Sequence, residues 1–363
     1  MNVNIMYLPI DYIDIIIAIV KIIILMILLI LAAAYMTYFE RKVVASIQVR
    51  IGPNRAGPAG ILQPFSDMFK LILKEDIIPR DADRLIYLLA PIITVGIAMA
   101  SIALIPFGST VSIGGRKIFL GISDVNVGVL VFIAFSSLAV YGIVFAGWSS
   151  RSKYSLLGGM RSAAQMISYE LSMSLAIATV AIWAGSLSIV DIMQAQMNIQ
   201  PGAIISFLFM LIPHVIALLI FFITILAETN RAPFDLPECE NELVAGYQTE
   251  YSGLRFAMFY LGEYVNMIIG SMIIVTLFLG GWMFPFGFSN IERSHLDPTW
   301  APIIGFAWFA FKVALVLFMF MWIRATFPRF RYDQLMRFGW KFLFPIALVN
   351  LFLMALIKLL FAS

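Results

Sequence analysis

The chain has 363 residues, of which 62% are hydrophobic and only 12% are charged, and its formal net charge is +3. A soluble domain carries about twice that share of charged residues, so the composition excludes a soluble globular enzyme. It predicts a protein that is surrounded by lipid over most of its surface, and the small net charge gives no reason to expect nucleic acid as a partner.

Eight runs of about 20 apolar residues follow one another along the chain, each long enough to cross a bilayer. They cover residues 12–34, 85–107, 125–147, 163–185, 203–227, 254–283, 302–324 and 338–361. The sixth run is long and predicts a tilted helix. The predicted fold class is therefore all-α: a polytopic integral membrane protein with about eight transmembrane helices in a single membrane domain, residues 1–363. Asp11 and Asp14, at the start of the first run, argue against a cleaved signal peptide.

The basic residues predict the orientation of this bundle. Most of them lie in four alternate connections, residues 35–84, 148–162, 228–253 and 325–337. The connections on the other side hold only Arg116, Lys117 and Arg293. The positive-inside rule places the basic loops in the cytoplasm, so both termini are expected on the outer, periplasmic side. Residues 108–124 and 284–300 carry no recognised motif.

The first basic loop also predicts a short amphipathic helix from Pro64 to Lys74. Its apolar residues fall at helical spacing i, i+3, i+4 and i+7: Phe65, Met68, Phe69 and Ile72. Such a helix lies in the membrane interface or binds a partner.

A charge deep inside a predicted span, or at the end of one, is costly and is by default a functional hypothesis, and five residues are singled out on that ground. They are Lys21, Glu170, Glu228, Glu263 and Lys312. Snorkelling or a buried pair explains Lys21. Three acids on the cytoplasmic side of the midplane instead predict a proton path.

Glu228 is the centre of that prediction. Pro233 ends its helix near Asn230, so the carboxylate lies in the last turn, where the helix dipole disfavours a negative charge. Arg231, three residues later, is expected to offset this effect. A carboxyl group that the helix dipole destabilises in its charged form and a nearby arginine stabilises is a candidate proton carrier.

The loop that follows is acidic, with no lysine or arginine between Arg231 and Arg255. Its acids are Asp235, Glu238, Glu240, Glu242 and Glu250. Asp235 and Glu238 have the spacing of a capping box, so both could simply begin a helix at Leu236. Glu238 and Glu242 would then be stacked four residues apart, where like charges repel, and an enclosed pair would share protons.

Metal and haem chemistry have few candidate ligands. The chain contains one cysteine, Cys239, and two histidines, His214 and His295. One cysteine forms no intrachain disulfide and no cysteine-ligated cluster, and the two histidines are poorly placed for a bis-histidine haem. We expect no metal, no haem and no covalently bound cofactor in this chain.

Several long motifs lie at residues 40–42, 50–57, 63–75, 159–170, 227–253 and 322–335. These motifs resemble one known family, the H subunit of bacterial respiratory complex I, whose mitochondrial counterpart is NADH dehydrogenase subunit 1. The resemblance covers almost the whole chain, in family order. It implies a bacterial inner-membrane subunit of NADH-quinone oxidoreductase, with quinone as the substrate of the complex and either ubiquinone or menaquinone left open.

The resemblance also implies roles and partners. The residues expected to line or support a quinone channel are Arg41, Asp67, Lys70, Arg231 and Arg324. The residues expected to form an acidic proton path are Glu170, Glu228, Asp235, Glu238, Glu240, Glu242 and Glu263. Supporting positions are Glu40, Tyr154, Tyr251, Tyr264 and Lys312. The implied partners are the hydrogenase-like large subunit, the terminal iron–sulfur subunit, small membrane-arm subunits, antiporter-like subunits and membrane lipid.

Three other interpretations remain open from the residues. One is the homologous membrane subunit of a membrane-bound hydrogenase or of the photosynthetic relative of complex I. Another is a stand-alone proton-coupled transporter, although the chain lacks the internal repeat that this class often shows. The third is a structural anchor, which leaves the membrane acids unexplained.

Overall fold

The structure is a computed structural model, and it describes residues 12–108, 110–113, 116–197, 204–236, 244–283 and 301–361. Helices dominate this part of the chain, and the one sheet within it is an antiparallel β-hairpin that pairs Thr110 with Phe119. The predicted all-α class is confirmed. The hairpin lies in the segment 108–124, for which the sequence predicted no element.

The described helices follow in chain order. They are α1 (Tyr12–Ile47), α2 (Gln63–Leu73), α3 (Arg84–Ala100), α4 (Gly128–Ser149), α5 (Lys153–Ala184), α6 (Ile189–Met197), α7 (Ile204–Glu228), α8 (Gly253–Phe278), α9 (Ala301–Thr326), α10 (Tyr332–Phe338) and α11 (Phe344–Phe361). The strands are β1 (Thr110–Ile113) and β2 (Arg116–Phe119). Single 3₁₀ turns occur at Pro58–Gly60, Ser101–Leu104 and Gly246–Gln248, and a π turn, Gly339–Leu343, joins α10 to α11.

Eight spans in the described residues are long and apolar enough to cross a membrane. They are α1, α3, α4, α5, α7, α8, α9 and the continuous segment Tyr332–Phe361, and they match the eight predicted runs one to one. Because successive spans alternate in direction, the connections at 48–83, 150–152, 229–252 and 327–331 share one end of the bundle. We call it the basic end.

Helix α8 is the central element of the bundle. About 78% of its most apolar stretch is buried, against 6% for α1. It packs against α1, α3, α7 and α9, while α5 packs against α4, α7 and α11. Side chains on α8 are therefore enclosed by neighbouring helices, and α1 leaves most of its surface to lipid or to other chains.

The boundaries of α1 and α5 differ from the prediction. Helix α1 continues through residues 35–47, which were predicted as loop, so Glu40 and Arg41 lie on a membrane helix. Helix α5 begins at Lys153, which shortens the predicted loop 148–162 to a tight turn. The hydrophobic signal stops where charged residues begin, but neither extension contains a proline. The helical backbone therefore continues past the apolar stretch.

The sixth span is shorter than its apolar run. Helix α8 ends at Phe278, although the run was predicted to reach residue 283. Gly280 and Gly281 follow with φ values of 71° and 56°. This left-handed conformation is typical of residues that end helices.

The predicted amphipathic helix is confirmed as α2. Phe65, Met68, Phe69 and Ile72 are all exposed on its surface. The apolar side of α2 therefore faces away from this chain, as expected for a helix that lies in the membrane interface or contacts a partner.

The membrane lysines bind backbone carbonyl groups at the end opposite the basic end. Lys21 donates to Phe119 O at 3.3 Å and to Gly121 O at 3.0 Å, beside the β-hairpin. Lys358 donates to Ile182 O at 2.6 Å, in the last turn of α5. Lys312 donates to three carbonyl oxygens beyond α8. Snorkelling was one of the two explanations for Lys21. The structure instead shows its ammonium group bound to backbone carbonyls at the hairpin.

Candidate functional site

Glu40 is the centre of a buried polar cluster on the basic side of the bundle. Its side chain is 6% exposed and forms an ion pair with Arg231, whose Nη1 lies 3.3 Å from Glu40 Oε1. Tyr264 donates its hydroxyl to Glu40 Oε2 at 2.7 Å, and Arg324 forms a second ion pair with Glu40. The Arg231 guanidinium also lies over the Tyr264 ring, 4.1 Å from its centroid. Four segments distant in sequence therefore meet at one carboxylate.

Arg231 does not offset Glu228, which corrects the prediction. The chain reverses after α7, where Asn230 has a φ of 47°, and this turn directs Arg231 towards Glu40. Burial alone would lower the pKa of the Arg231 guanidinium, but the neighbouring Tyr264 and Glu263 side chains raise that pKa above its ordinary value. Arg231 is therefore a fixed positive charge of the Glu40 cluster.

Gln165 holds this turn in place. Its Nε2 donates to Ala227 O at 2.8 Å and to Phe234 O at 3.0 Å, on both sides of the turn. Asn230 Nδ2 donates to Ser162 Oγ at 2.9 Å. Both contacts reach α5, so α5 fixes the position of Arg231. Sequence reasoning assigned no role to Gln165, although a glutamine inside a predicted span was the signal that could have found it.

Arg41, Asp67 and Lys70 form an exposed rim beside this cluster. Arg41 Nη1 lies 2.6 Å from Asp67 Oδ2, and Gln63 Nε2 donates to Asp67 Oδ1 at 2.9 Å. The Arg41 side chain is 52% exposed, and Lys70 lies on the exposed surface of α2. The rim ties α2 to the end of α1 and leaves cationic groups accessible from the basic end.

A large apolar cavity leads towards the Glu40 cluster. It has a volume of about 580 Å³ and lies between α1, α8 and α9. Its wall includes Leu25, Val43, Met272, Phe309 and Met321. In sequence, Val43 lies within one helical turn of Glu40, and Met321 lies within one helical turn of Arg324. The inner end of the cavity therefore approaches the buried ion pairs.

Glu170 and Glu228 occupy neighbouring positions deeper in the bundle. Ser136 Oγ donates to Glu228 Oε1 at 2.7 Å, and Ser137 donates its hydroxyl to Glu170 Oε1. The two acids are close enough for their charges to interact. Two adjacent serines of α4 therefore hold acids from α5 and α7, and neither serine was predicted as a site residue.

Glu263 lies on α8 and binds the short turn at Gly246–Gln248. Tyr247 donates its hydroxyl to Glu263 Oε1 at 3.2 Å, and Gln248 Nε2 donates to the same oxygen at 3.0 Å. Tyr264 is the one predicted tyrosine that contacts a predicted acid among the described residues. Tyr251 instead donates to Tyr87 O and stacks on the Tyr87 ring at 4.1 Å, and Tyr154 is 55% exposed.

The acidic loop is described only in part. Asp235 forms an ion pair with Arg329, 3.0 Å from Asp235 Oδ2 to Arg329 Nη2, so it bridges two connections at the basic end. Glu238, Glu240 and Glu242 lie outside the described residues, as do Cys239, His295 and all but the first residue of the helix predicted to begin at Leu236. His214 Nε2 lies 3.0 Å from Phe278 O.

Metal-binding geometry is not seen in the described part of the chain: no group of three or more histidine, cysteine, aspartate or glutamate side chains there could hold an ion. The charged residues instead contact each other, serine and tyrosine hydroxyls, and backbone carbonyls. This arrangement is suited to holding and moving protons and to binding an uncharged polar group.

Comparison with known proteins agrees with this architecture. The family model described as NADH dehydrogenase matches residues 20–355. The NADH-quinone oxidoreductase H subunit from Protochlamydia amoebophila (strain UWE25) is 49% identical over 89% of this chain and 92% of its own length. The protein of the same name from Rickettsia prowazekii (strain Madrid E) is 50% identical over 89% of this chain and 88% of its own length. The one from Salinibacter ruber (strain DSM 13855 / M31) is 49% identical over 92% of this chain and 93% of its own length. The chain therefore belongs to the NADH dehydrogenase family, as a multi-pass membrane homologue of the H subunit of the NADH-quinone oxidoreductase complex.

Proposed function

We propose that this chain forms a quinone-binding channel at the basic end of its bundle and couples quinone reduction to proton translocation. The observation that carries the proposal is the apolar cavity of about 580 Å³ between α1, α8 and α9, whose inner end approaches the Glu40–Arg231–Arg324 cluster. The cavity offers an apolar path from lipid, and the cluster offers fixed charge at its end.

A quinone with a long isoprenoid tail has two requirements. Its tail needs apolar surface, and its head group needs hydrogen-bond donors at the place where electrons arrive. Leu29, Phe309 and Met321 supply apolar wall to the cavity, and Arg41 and Lys70 supply exposed positive charge at the rim. Reduction places negative charge on the head group, which nearby cations stabilise.

The acids extend the proposal to coupling. Glu263 lies one residue before Tyr264, which binds Glu40, and Glu228 and Glu170 lie deeper in the bundle. A change of charge at the quinone acts on Glu40 first and then on Glu263, Glu228 and Glu170. Asp235, Glu238, Glu240 and Glu242 complete this acidic path. Acids whose protonation responds to such a change can take up and release protons in sequence.

The partners in this proposal are those implied by the family resemblance, and the orientation is the one favoured by the basic residues at one end of the bundle. The basic end faces the cytoplasm, and both termini lie on the periplasmic side of the bacterial inner membrane. The hydrogenase-like large subunit and the terminal iron–sulfur subunit bind at the basic end, where they complete the quinone channel. Small membrane-arm subunits and antiporter-like subunits lie alongside the bundle in the lipid. We expect no redox cofactor in the chain itself and propose quinone as its substrate.

A bulky side chain in the cavity tests the channel. Ala314 lines the cavity, whereas Ala307 is exposed on the same helix and does not line it. In the assembled complex, Ala314→Phe is expected to raise the KM for a long-tailed quinone about tenfold, because a phenyl ring occupies the path of the tail. A short-tailed quinone analogue should be affected less.

Ala307→Phe serves as the matched control and should leave both KM values near the wild-type values. NADH oxidation with an artificial water-soluble acceptor should be unchanged in both variants, since it does not need the channel. If Ala314→Phe and Ala307→Phe gave the same KM for the long-tailed quinone, the cavity would not be the tail path.

A further inference from the structure

A second, much smaller cavity lies beside Glu228. It has a volume of about 20 Å³ and is enclosed by α4, α7, α8 and the turn after α3. A single water molecule needs about 10–15 Å³ of such space together with polar partners. The cavity therefore has the size of a site for one water molecule.

Glu228 lines this cavity, and one of its two carboxylate oxygens lacks a hydrogen-bond donor among the described residues. Glu228 Oε1 accepts the hydrogen bond from Ser136, whereas Oε2 is buried and has no donor among the described residues. A buried carboxylate oxygen without a donor is costly. The site thus has one polar atom that requires a donor.

Most hydroxyl groups in the cavity wall are already committed. Ser101 donates to Ile97 O at 3.1 Å, and Thr229 donates to Ile225 O at 3.0 Å. Ser136 donates to Glu228. Asn266 also lines the cavity, and its side chain makes no hydrogen bond within the described part of the chain. Its amide is therefore the remaining side-chain hydrogen-bond donor in the cavity wall.

We propose that the cavity binds one water molecule, which accepts a hydrogen bond from Asn266 Nδ2 and donates one to Glu228 Oε2. Asn266 is then a positioning residue of the proton path, and the water is its ligand. Asn266 lies three residues after Glu263 on α8, so both project from neighbouring positions on one side of the helix. The inference rests on the proposed function, because it connects the α7 acid to the helix that carries Glu263.

The experiment replaces Asn266 in the assembled complex. Asn266→Leu keeps the branched shape of the side chain and removes the amide, and Asn266→Ser keeps a hydroxyl donor. Asn266→Leu is expected to lower NADH–quinone turnover about tenfold, the effect of losing one hydrogen bond to a charged group. The solvent deuterium isotope effect on turnover should rise, because proton transfer becomes more strongly rate-limiting. Asn266→Ser should retain more turnover than Asn266→Leu.

Asn350→Leu provides the matched control. Asn350 is also buried in a span, but it donates to Pro213 O at 2.9 Å, between α11 and α7. Its replacement should leave the isotope effect unchanged. A lower turnover in Asn266→Leu with a wild-type isotope effect, or equal losses in the Leu and Ser variants, would overturn the inference.

Glu228→Gln in the same assay separates this inference from the proposed function. An inactive Glu228→Gln beside a fully active Asn266→Leu refutes only the water site, whereas a fully active Glu228→Gln refutes the proton path. If Asn266→Leu does not assemble, a high-resolution cryo-EM map of the wild-type complex decides. Density for a water within hydrogen-bonding distance of both Asn266 and Glu228 supports the inference, and a dry cavity overturns it.

Discussion

Arg231 and Glu40 face each other inside the bundle although 191 positions separate them in the chain. Both side chains are less than a tenth exposed. The carboxylate is also bound by Arg324, so one negative charge lies opposite two positive charges. Removing that negative charge would leave buried guanidinium charge without a counterion, which is far more costly than losing an exposed pair.

Glu40→Gln is therefore expected to destabilise the chain by about 3–5 kcal/mol. The measurement is the amount of assembled complex on native gels, together with its loss on mild heating. Asp67→Asn is the matched control, because Asp67 forms an exposed pair with Arg41, and such pairs contribute about 0–1 kcal/mol. Equal assembly of the two variants would show that the Glu40 cluster is not a stabilising centre.

Arg41 belongs to the exposed rim, so its replacement should weaken quinone reduction without impairing folding. Arg41→Ala is expected to lower quinone reduction about five- to tenfold, because a charge-assisted contact at the rim is lost. NADH oxidation by an artificial water-soluble acceptor should stay near the wild-type rate, since that reaction needs only the soluble arm. Parallel loss of both activities would indicate failed assembly instead.

Glu228→Gln keeps the shape of the side chain and removes its titration. The complex should assemble, while quinone turnover and proton pumping should both fall about a hundredfold, as when a general acid–base group is lost. Glu263→Gln should act in the same direction. The assay is NADH–quinone turnover with dye-reported acidification in reconstituted vesicles.

Asp191→Asn is the control for the acid series, because Asp191 lies in α6 at the end opposite the basic end. It should change neither turnover nor pumping. An assembled Glu228→Gln complex with wild-type turnover and pumping would make Glu228 a structural residue.

Gly158 packs directly against the turn that binds Glu263. A Cβ at Gly158 would lie 2.5 Å from Gly246 Cα, a backbone atom that has no room to move. Gly158→Ala is expected to cost about 1–3 kcal/mol and to lower the amount of assembled complex on native gels. Gly96→Ala is the control, because a Cβ there meets nothing within 4 Å. Indistinguishable thermal stability of the two variants would contradict the tight contact.

The orientation of the bundle can be measured by cysteine labelling. In a Cys239→Ser background, which removes the single native cysteine, cysteines at Ser109 and Ser152 should label from opposite sides of the membrane. Ser152 is expected to react from the cytoplasmic side. Labelling of both positions from the same side would contradict the eight-span topology.

The spans could be predicted well because hydrophobic runs of bilayer length are a strong signal. Prediction failed at helix ends, since the apolar pattern stops at Tyr35 while the α1 backbone continues to Ile47. The end of α8 could have been predicted from Gly280 and Gly281. The β-hairpin and the short helix α6 produced no signal strong enough to predict.

The site was predicted as a set of charged residues but not as a set of contacts. Sequence spacing suggested that Arg231 serves Glu228, whereas the tertiary fold pairs it with Glu40. Ser136 and Ser137 were missed because serines are common in membrane helices and carry no charge to mark them. Pairings between distant segments depend on how the helices pack. A single sequence, read without an alignment, does not reveal that packing.

Lys312 shows how the membrane cations differ from the membrane acids. Its ammonium donates to the carbonyl oxygens of Leu279, Gly281 and Met283 at 2.7, 2.8 and 2.8 Å. An ammonium group has three hydrogens, and here each of them has an acceptor. Lys312 thus anchors α9 to the segment after α8, and it has no hydrogen left to offer a substrate. The described membrane acids are held differently, because Glu170, Glu228 and Glu263 accept hydrogen bonds from serine, tyrosine or glutamine side chains.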